Sequence, residues 1–301
     1  NHTLLGGLGN DQLLGIGQNT VLDGGDNQDA LLATGELYQN NIYTYVQRGS
    51  ATLVGGAGDD NSSVYGSTSN YFWTGIKASY LENALLQGND GSDSLYVEYT
   101  KNSTLEGGLG SDGLEVRVYN GALQSIGSGY GASHRLDGGA DNDSLTVSGY
   151  GSYWYGRTDL ILDGGSGNDS LQVNESAIVN NYGAYATASL AGGDGDDTLT
   201  ASGVLQLTLS GGIGRDTFSL TALQYKATQA SFSFYTDNQG SSIAVAGKPI
   251  EITDFQAGLG GDLLDIKDLL ENAAVGYDGS NPFGSSGYLT LTQSLDNPAD
   301  T

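Results

Sequence analysis

Residues Leu4-Leu5-Gly6-Gly7-Leu8-Gly9-Asn10-Asp11-Gln12-Leu13 set an apolar side chain, a glycine run, one aspartate and a second apolar side chain in a fixed order. That order recurs, nine copies in all, counted from a first glycine at 6, 24, 55, 88, 107, 138, 164, 192 and 211. The residue two before it is Leu in every copy: Leu4, Leu22, Leu53, Leu86, Leu105, Leu136, Leu162, Leu190 and Leu209. The residue five after it is Asp in every copy: Asp11, Asp29, Asp60, Asp93, Asp112, Asp143, Asp169, Asp197 and Asp216. Two residues past the Asp stand Leu13, Leu31, Leu95, Leu114, Leu145, Leu171, Leu199 and Phe218, with Ser62 as the exception. Self-similarity of this kind is the signature of a stacked repeat architecture.

Apolar residues flanking a glycine turn fit two short strands whose inward side chains stack on those of neighbouring copies, while the glycines take backbone angles closed to other residues. Copies begin 18, 31, 33, 19, 31, 26, 28 and 19 residues apart, enough for one full coil each. The pattern predicts an all-β chain folded as a parallel β-roll or β-solenoid, roughly 40 Å long if coils stack about 4.8 Å apart. The glycine turns line one regular edge, and the inserts 33–52 and 61–84 are expected to project from the other, variable edge.

Asp and Glu number 35 against 10 Lys and Arg, a formal charge of −25, which repels nucleic-acid phosphates and anionic lipid headgroups and makes cations the expected partners. No apolar stretch reaches membrane-spanning length, so membrane insertion is not expected. There is no Cys, which leaves neither disulfides nor thiolate-bound metal, and no Met, from which a fragment or processed product is expected. No amino-terminal signal peptide is recognisable.

Gly6-Gly7-Leu8-Gly9-Asn10-Asp11-Gln12-Leu13-Leu14 resembles the nonapeptide of the RTX proteins, with similar cores at 107–114, 164–171, 192–199 and 211–218. The resemblance implies a right-handed roll in which calcium lies between successive turns, held by Asp carboxylates and backbone carbonyls. Carried onto this chain, the ligands are the nine turn aspartates together with the first glycines of the turns, Gly6, Gly24, Gly107, Gly164, Gly192 and Gly211. Elementary chemistry agrees, since calcium seeks six to eight hard oxygens and a glycine turn exposes carbonyls beside each carboxylate. Asn27 and Asp141 replace the third glycine of their copies, Asn89 replaces the second, and Ser62 interrupts the apolar pattern. Weaker cation sites are therefore expected around 55–60 and 88–93, and the wide spacing suggests that one edge carries most of the ions.

The repeat region is taken as 1–221 and a carboxy-terminal capping or secretion-associated region as 222–301. Ile252-Thr253-Asp254-Phe255, followed by Gly258, Gly260, Gly261, Asp262, Leu264 and Asp265, is similar to the element that follows RTX repeats in proteins exported by type I secretion. The spacing of Leu263, Ile266, Leu269, Leu270 and Ala273 predicts an amphipathic helix capped by Asp262 or Asp265, and 288–292 reads as a strand, together a small α/β cap.

His2 and His134 are the sole histidines, and no His-Glu-x-x-His or Gly-x-Ser-x-Gly motif occurs, so the chain is not expected to be an enzyme. His134, beside Arg135, reads as a surface residue. The 19 tyrosines concentrate between copies, with clusters at Tyr71-Phe72-Trp73 and Tyr153-Trp154-Tyr155 that could meet a glycan or a second copy, or pack locally. The expected function is a calcium-dependent structural or adhesive module of a large secreted bacterial surface protein: an adhesin, surface layer or extracellular filament. The alternative is the non-catalytic tail of a secreted protease, lipase or alginate epimerase.

Overall fold

The fold is described from a computed structural model covering residues 2–16, 19–34, 36–39, 42–45, 49–61, 63–65, 72–79, 81–119, 132–150, 157–174, 185–202, 206–220, 234–236, 242–244, 251–256 and 260–265. It is a parallel two-sheet solenoid, with ten strands in each sheet. The first sheet stacks His2–Leu8, Thr20–Asp26, Ser50–Ala57, Asn83–Asp90, Asn102–Leu109, Ala132–Ala140, Arg157–Ser166, Tyr185–Asp194, Gln206–Ile213 and Glu251–Ile252. The second stacks Gln12–Ile16, Ala30–Thr34, Ile76–Ser79, Ser94–Glu98, Gly113–Tyr119, Ser144–Tyr150, Ser170–Asn174, Thr198–Ser202, Thr217–Leu220 and Leu263–Asp265. Each coil contributes one strand to each sheet, and in the nine repeat copies the glycine turn leads from the first strand toward the second.

The register explains the repeat residue by residue. Leu4, Leu22, Leu53, Leu86, Leu105, Leu136, Leu162, Leu190, Leu209 and Ile252 are paired in one unbroken column. Leu13, Leu31, Ile76, Leu95, Leu114, Leu145, Leu171, Leu199, Phe218 and Leu264 form the facing column. Most of these side chains are fully buried, and together they make the core between the sheets. Because side chains alternate across a strand, only every second position has to be apolar, which is how 38% hydrophobic residues suffice.

Ser62 does not break the ladder. Ile76 takes its place between Leu31 and Leu95 and is fully buried. The antiparallel hairpin of Ser63–Tyr65 with Phe72–Thr74 is inserted between Asp60 and Ile76. It therefore branches from the glycine-turn edge, which corrects the expectation that all of 61–84 projects from the variable edge. The hairpin of Glu36–Gln39 with Ile42–Tyr45 does lie on the variable edge, between a second-sheet and a first-sheet strand. Tyr153-Trp154-Tyr155 falls outside the described residues, as do Tyr71 and the side chains of Phe72 and Trp73.

No helix occurs among the described residues. Leu263, the expected start of the amphipathic helix, lies in the strand Leu263–Asp265, which pairs with Thr217–Leu220. Leu264 then faces Phe218 in the apolar column, so pairing with an existing sheet overrides helical spacing there. Residues 266–273 and 288–292 lie outside the described residues. Both sheets continue beyond residue 221 through Glu251–Ile252 and Leu263–Asp265.

Ile76→Ala should lower the stability of the calcium-supplied protein by about 2–5 kcal/mol, because it leaves a cavity in a closed column. Leu14→Ala, at a side chain 44% exposed, should cost under about 1 kcal/mol. Urea midpoints of the two variants check the ranking, and a loss at Ile76 no larger than that at Leu14 would contradict the register.

Candidate cation row on the glycine-turn edge

The turn aspartates form one continuous chain of hydrogen bonds. The backbone N–H of Asp11 donates to Oδ1 of Asp29 at 2.7 Å, and Asp29 N–H to Asp60 Oδ1 at 2.7 Å. The series runs on through Asp93, Asp112, Asp143, Asp169, Asp197 and Asp216 at 2.7–3.0 Å. Asp216 N–H then reaches Oδ1 of Asp262 at 2.9 Å. The eight aspartates from Asp29 to Asp216 are 0–3% exposed.

Each carboxylate from Asp29 to Asp216 thus spends Oδ1 on the coil before it. Its other oxygen, Oδ2, is buried without a hydrogen-bond partner in all nine turns, Asp11 through Asp216. Among the described residues this is the largest set of orphaned buried oxygens of one kind, and a buried acceptor without a donor is costly.

The glycines fall into two physical classes. The first glycine of each turn has no positive φ; what it lacks is room. A Cβ on Gly6, Gly24, Gly107, Gly164 or Gly192 would collide both with Oδ2 of its own turn's aspartate and with the carbonyl oxygen of the next turn's first glycine. On Gly211 it would collide with Asp216. The strand register passes over this position in each full coil, pairing Leu5 with Asp23 and then Gly7 with Gly25. Carbonyl and orphaned carboxylate oxygen therefore converge on one small space in each gap.

The second and third glycines are there for φ, as at Gly165 (φ +103°) and Gly167 (φ +128°). Asn89, Asn27 and Asp141, which replace them, sit at φ +79°, +83° and +75°. Asn and Asp are the side chains that best tolerate this left-handed region, so these copies keep the turn. The aspartate ladder likewise runs unbroken through Asp60 and Asp93.

Burial pushes the carboxyls up: Asp60, Asp112 and Asp143 to about 7, Asp93 and Asp197 to about 6, with Asp29, Asp169 and Asp216 raised in the same direction. The backbone N–H bond to each carboxylate opposes the shift, and neighbouring aspartates add to it. The row is chemically prepared to take either protons or cations. Its oxygens suit a hard cation, and neither sulfur nor imidazole lines it. No three acidic or histidine side chains converge on one point among the described residues, so a cation here would depend on backbone carbonyls as well.

Three features were not read from the sequence. Asp262, expected as a helix cap, is the tenth rung: its Oδ1 accepts from Asp216, its Oδ2 accepts from Gln256 N–H, and its own N–H donates to Gln256 O. Asp254 accepts from Ser210 Oγ at 2.6 Å and from the N–H groups of Gly211 and Gly212, closing the last turn with a side chain. For Asp262 the clue was present in Leu264, which stands two residues past it as Leu13 stands past Asp11. An outer ladder runs alongside, in which Asn168, Asp196 and Arg215 N–H groups donate to Oδ1 of Asn142, Asn168 and Asp196 at 2.6–2.9 Å.

His134 is a correction. It is 1% exposed and faces the core, with Nδ1 at 2.7 Å from Ser103 Oγ, and burial lowers its pKa to about 4. It lies one position before Arg135 on a strand whose alternate residues face inward, so a charged neighbour is no guide to its own side.

Protein-family models, curated proteins and solved structures give no match to this chain.

Gly7 and Gly165 have nearly the same φ, +104° and +103°, but a Cβ on Gly7 meets nothing within 4 Å whereas one on Gly165 strikes the Gly139 carbonyl. Gly7→Ala should cost about 1–3 kcal/mol of strain alone. Gly165→Ala should cost clearly more, and equal denaturation midpoints would contradict the stacking. The raised carboxyl pKa values have a definite sign. Without divalent cations the fold is favoured while the aspartates are protonated, and it loses stability as pH rises from about 4 through about 7. Melting temperatures in chelator should therefore fall over that window; a rise would show that the carboxylates are not buried as charges.

Proposed function

We propose that this chain is a calcium-dependent structural or adhesive module of a large secreted bacterial surface protein. The observation that carries the reading is the row of nine buried, unpartnered Asp Oδ2 atoms, which in the inner gaps lie beside the next turn's glycine carbonyl. The resemblance of the turns to RTX nonapeptides points the same way.

Asp11, Asp29, Asp60, Asp93, Asp112, Asp143, Asp169, Asp197 and Asp216 would hold the ions, with carbonyls of the first glycines as neutral donors. Calcium supplies a positive charge and an appetite for hard oxygens. The residues do the rest: each aspartate after Asp11 bridges to the preceding coil through Oδ1 and keeps Oδ2 for the gap. Ionised and unneutralised, the row opposes stacking. A ligand that binds only the stacked state stabilises it by mass action, which couples folding to the millimolar calcium typical of sites of extracellular modules. Such a rod would be pliant before export and stiff after it. The nine turn aspartates are fully used in this role, and the Ser103–His134 pair is buried in the core.

At pH 7.5 in chelator, circular dichroism should show little β-structure, and millimolar calcium should restore it, with magnesium far less effective. The pH trend should also reverse: with calcium present, stability should rise from pH 4 to 7, because the ion needs the ionised carboxylate. A β spectrum at pH 7.5 that ignores both chelator and calcium would sink the reading. Asp169→Ala should move the calcium midpoint to higher concentration, since it removes one ligand and one bridge between coils.

A further inference from the structure

The outer face of the second sheet carries a groove that the cation row does not use. It measures about 570 Å³ and lies across the strands Ser94–Glu98, Gly113–Tyr119 and Ser144–Tyr150. Two registers of residues cross it: Ser94, Gly113 and Ser144 in one row, Tyr96, Glu115 and Thr146 in the next. Lys77 Nζ and Arg117 Cζ stand 4.8 and 5.1 Å from the centre of the Tyr96 ring. Each cation is paired with a carboxylate, Lys77 with Glu98 at 2.7 Å and Arg117 with Glu115 at 2.6 Å, and Tyr96 OH donates to Glu98 at 2.9 Å.

Gly113 is the telling residue. The turn glycines are required by space or by φ, but Gly113 is required by neither. Its φ is not positive, and a Cβ on it would find only the Asp93 carbonyl, at 3.8 Å. Its neighbours in register are both serines. The fold would accept a side chain here, and the lack of one deepens the floor of the groove.

We propose that this groove binds a neutral saccharide. A sugar hydroxyl both donates and accepts, and adjacent hydroxyls match a side-chain ion pair that offers N–H donors beside carboxylate acceptors. Ser94, Ser144 and Thr146 add hydroxyls of their own, and the Tyr96 ring, flanked by Lys77 and Arg117, holds both cations in place. The volume falls in the range of small-ligand sites. An anionic ligand is disfavoured because both cations are already matched by carboxylates on a chain of charge −25. This deepens the adhesive reading by giving it a ligand and a place, and rests on it only for its biological setting.

The test uses the full chain with saturating calcium, titrated by NMR with the methyl glycosides of glucose, galactose, mannose and fucose, and with methyl glucuronate as the charged counterpart. At least one neutral glycoside should shift the amide signals of Tyr96, Gly113 and Thr146. Gly113→Leu, which fills the floor, should weaken that binding about tenfold or more with an unchanged circular dichroism spectrum. Glu115→Gln, which keeps the shape and removes the charge, should weaken it as well. Should Gly113→Leu disturb the fold, Gly113→Ser, the residue of the adjoining coils, takes its place with a smaller loss expected. No response to any neutral glycoside, wild-type binding by the filled groove, or tighter binding of glucuronate would overturn the proposal. A chain that folds with calcium but ignores sugars fails this inference alone. One that binds sugar while its fold ignores calcium fails only the calcium reading.

Discussion

A carboxylate placed inside a turn, bonded through one oxygen to the coil before it and through the other to nothing, is the constraint from which the rest of this solenoid follows. The Oδ1 bond sets the spacing between coils, because the donor is the backbone N–H of the preceding turn's aspartate. The Oδ2 atom needs space, which the chain provides by omitting a side chain at the first glycine. With that side chain absent, the next turn's carbonyl can approach, and a space lined by oxygen is left in the gap. The apolar columns on either side hold the two strands at the height that the turn dictates. Removing the aspartate, the glycine or the column residue from a coil would therefore disturb the same interface from three directions.

The inner and outer ladders run in opposite senses. Inside, each coil donates forward to the next aspartate; outside, at 142–215, each coil donates back to the side chain behind it. Two rows of bonds with opposite polarity resist sliding of one coil over another better than either row alone. Among the described residues both end at the tenth coil. Asp254 satisfies the N–H groups of Gly211 and Gly212, Asp262 completes the inner row and turns its own N–H to Gln256, and Arg215 Nε donates to Gly261 O at 3.3 Å. The tenth coil is thus built with the same inner rung as the others but ends by bonding to itself.

Two kinds of surface result. The glycine-turn edge is regular, and the hairpin 63–74 interrupts it without disturbing the core, since Ile76 resumes the column. The sheet faces carry the individuality of the chain, including the groove above Gly113 and the ion pair of Arg135 with Asp137 at 2.7 Å. Division of labour between a repeated edge that holds the coils together and non-repeated faces fits the structural or adhesive role proposed above.

Much of this was written in the order of residues. Leu at one offset and Asp at another, repeated nine times, specified a parallel stack, its two sheets and its one regular edge, because period-two alternation and glycine turns admit few other arrangements. Local spacing could not say which strand follows an insert: Ser62 looked like a gap in the core until pairing put Ile76 there. Nor could it assign Leu263–Asp265, where helical periodicity and strand pairing compete and the free edge of a sheet decides. His134 went inward because its strand alternates from Leu136, whatever its neighbour's charge. What tertiary structure alone decided was the state of each aspartate oxygen, since a hydrogen bond between coils 18 to 46 residues apart has no local signature. The sequence by itself determined where the carboxylates stand; only stacking determined that, from Asp29 to Asp216, one oxygen is bonded and the other left waiting for a proton or a cation.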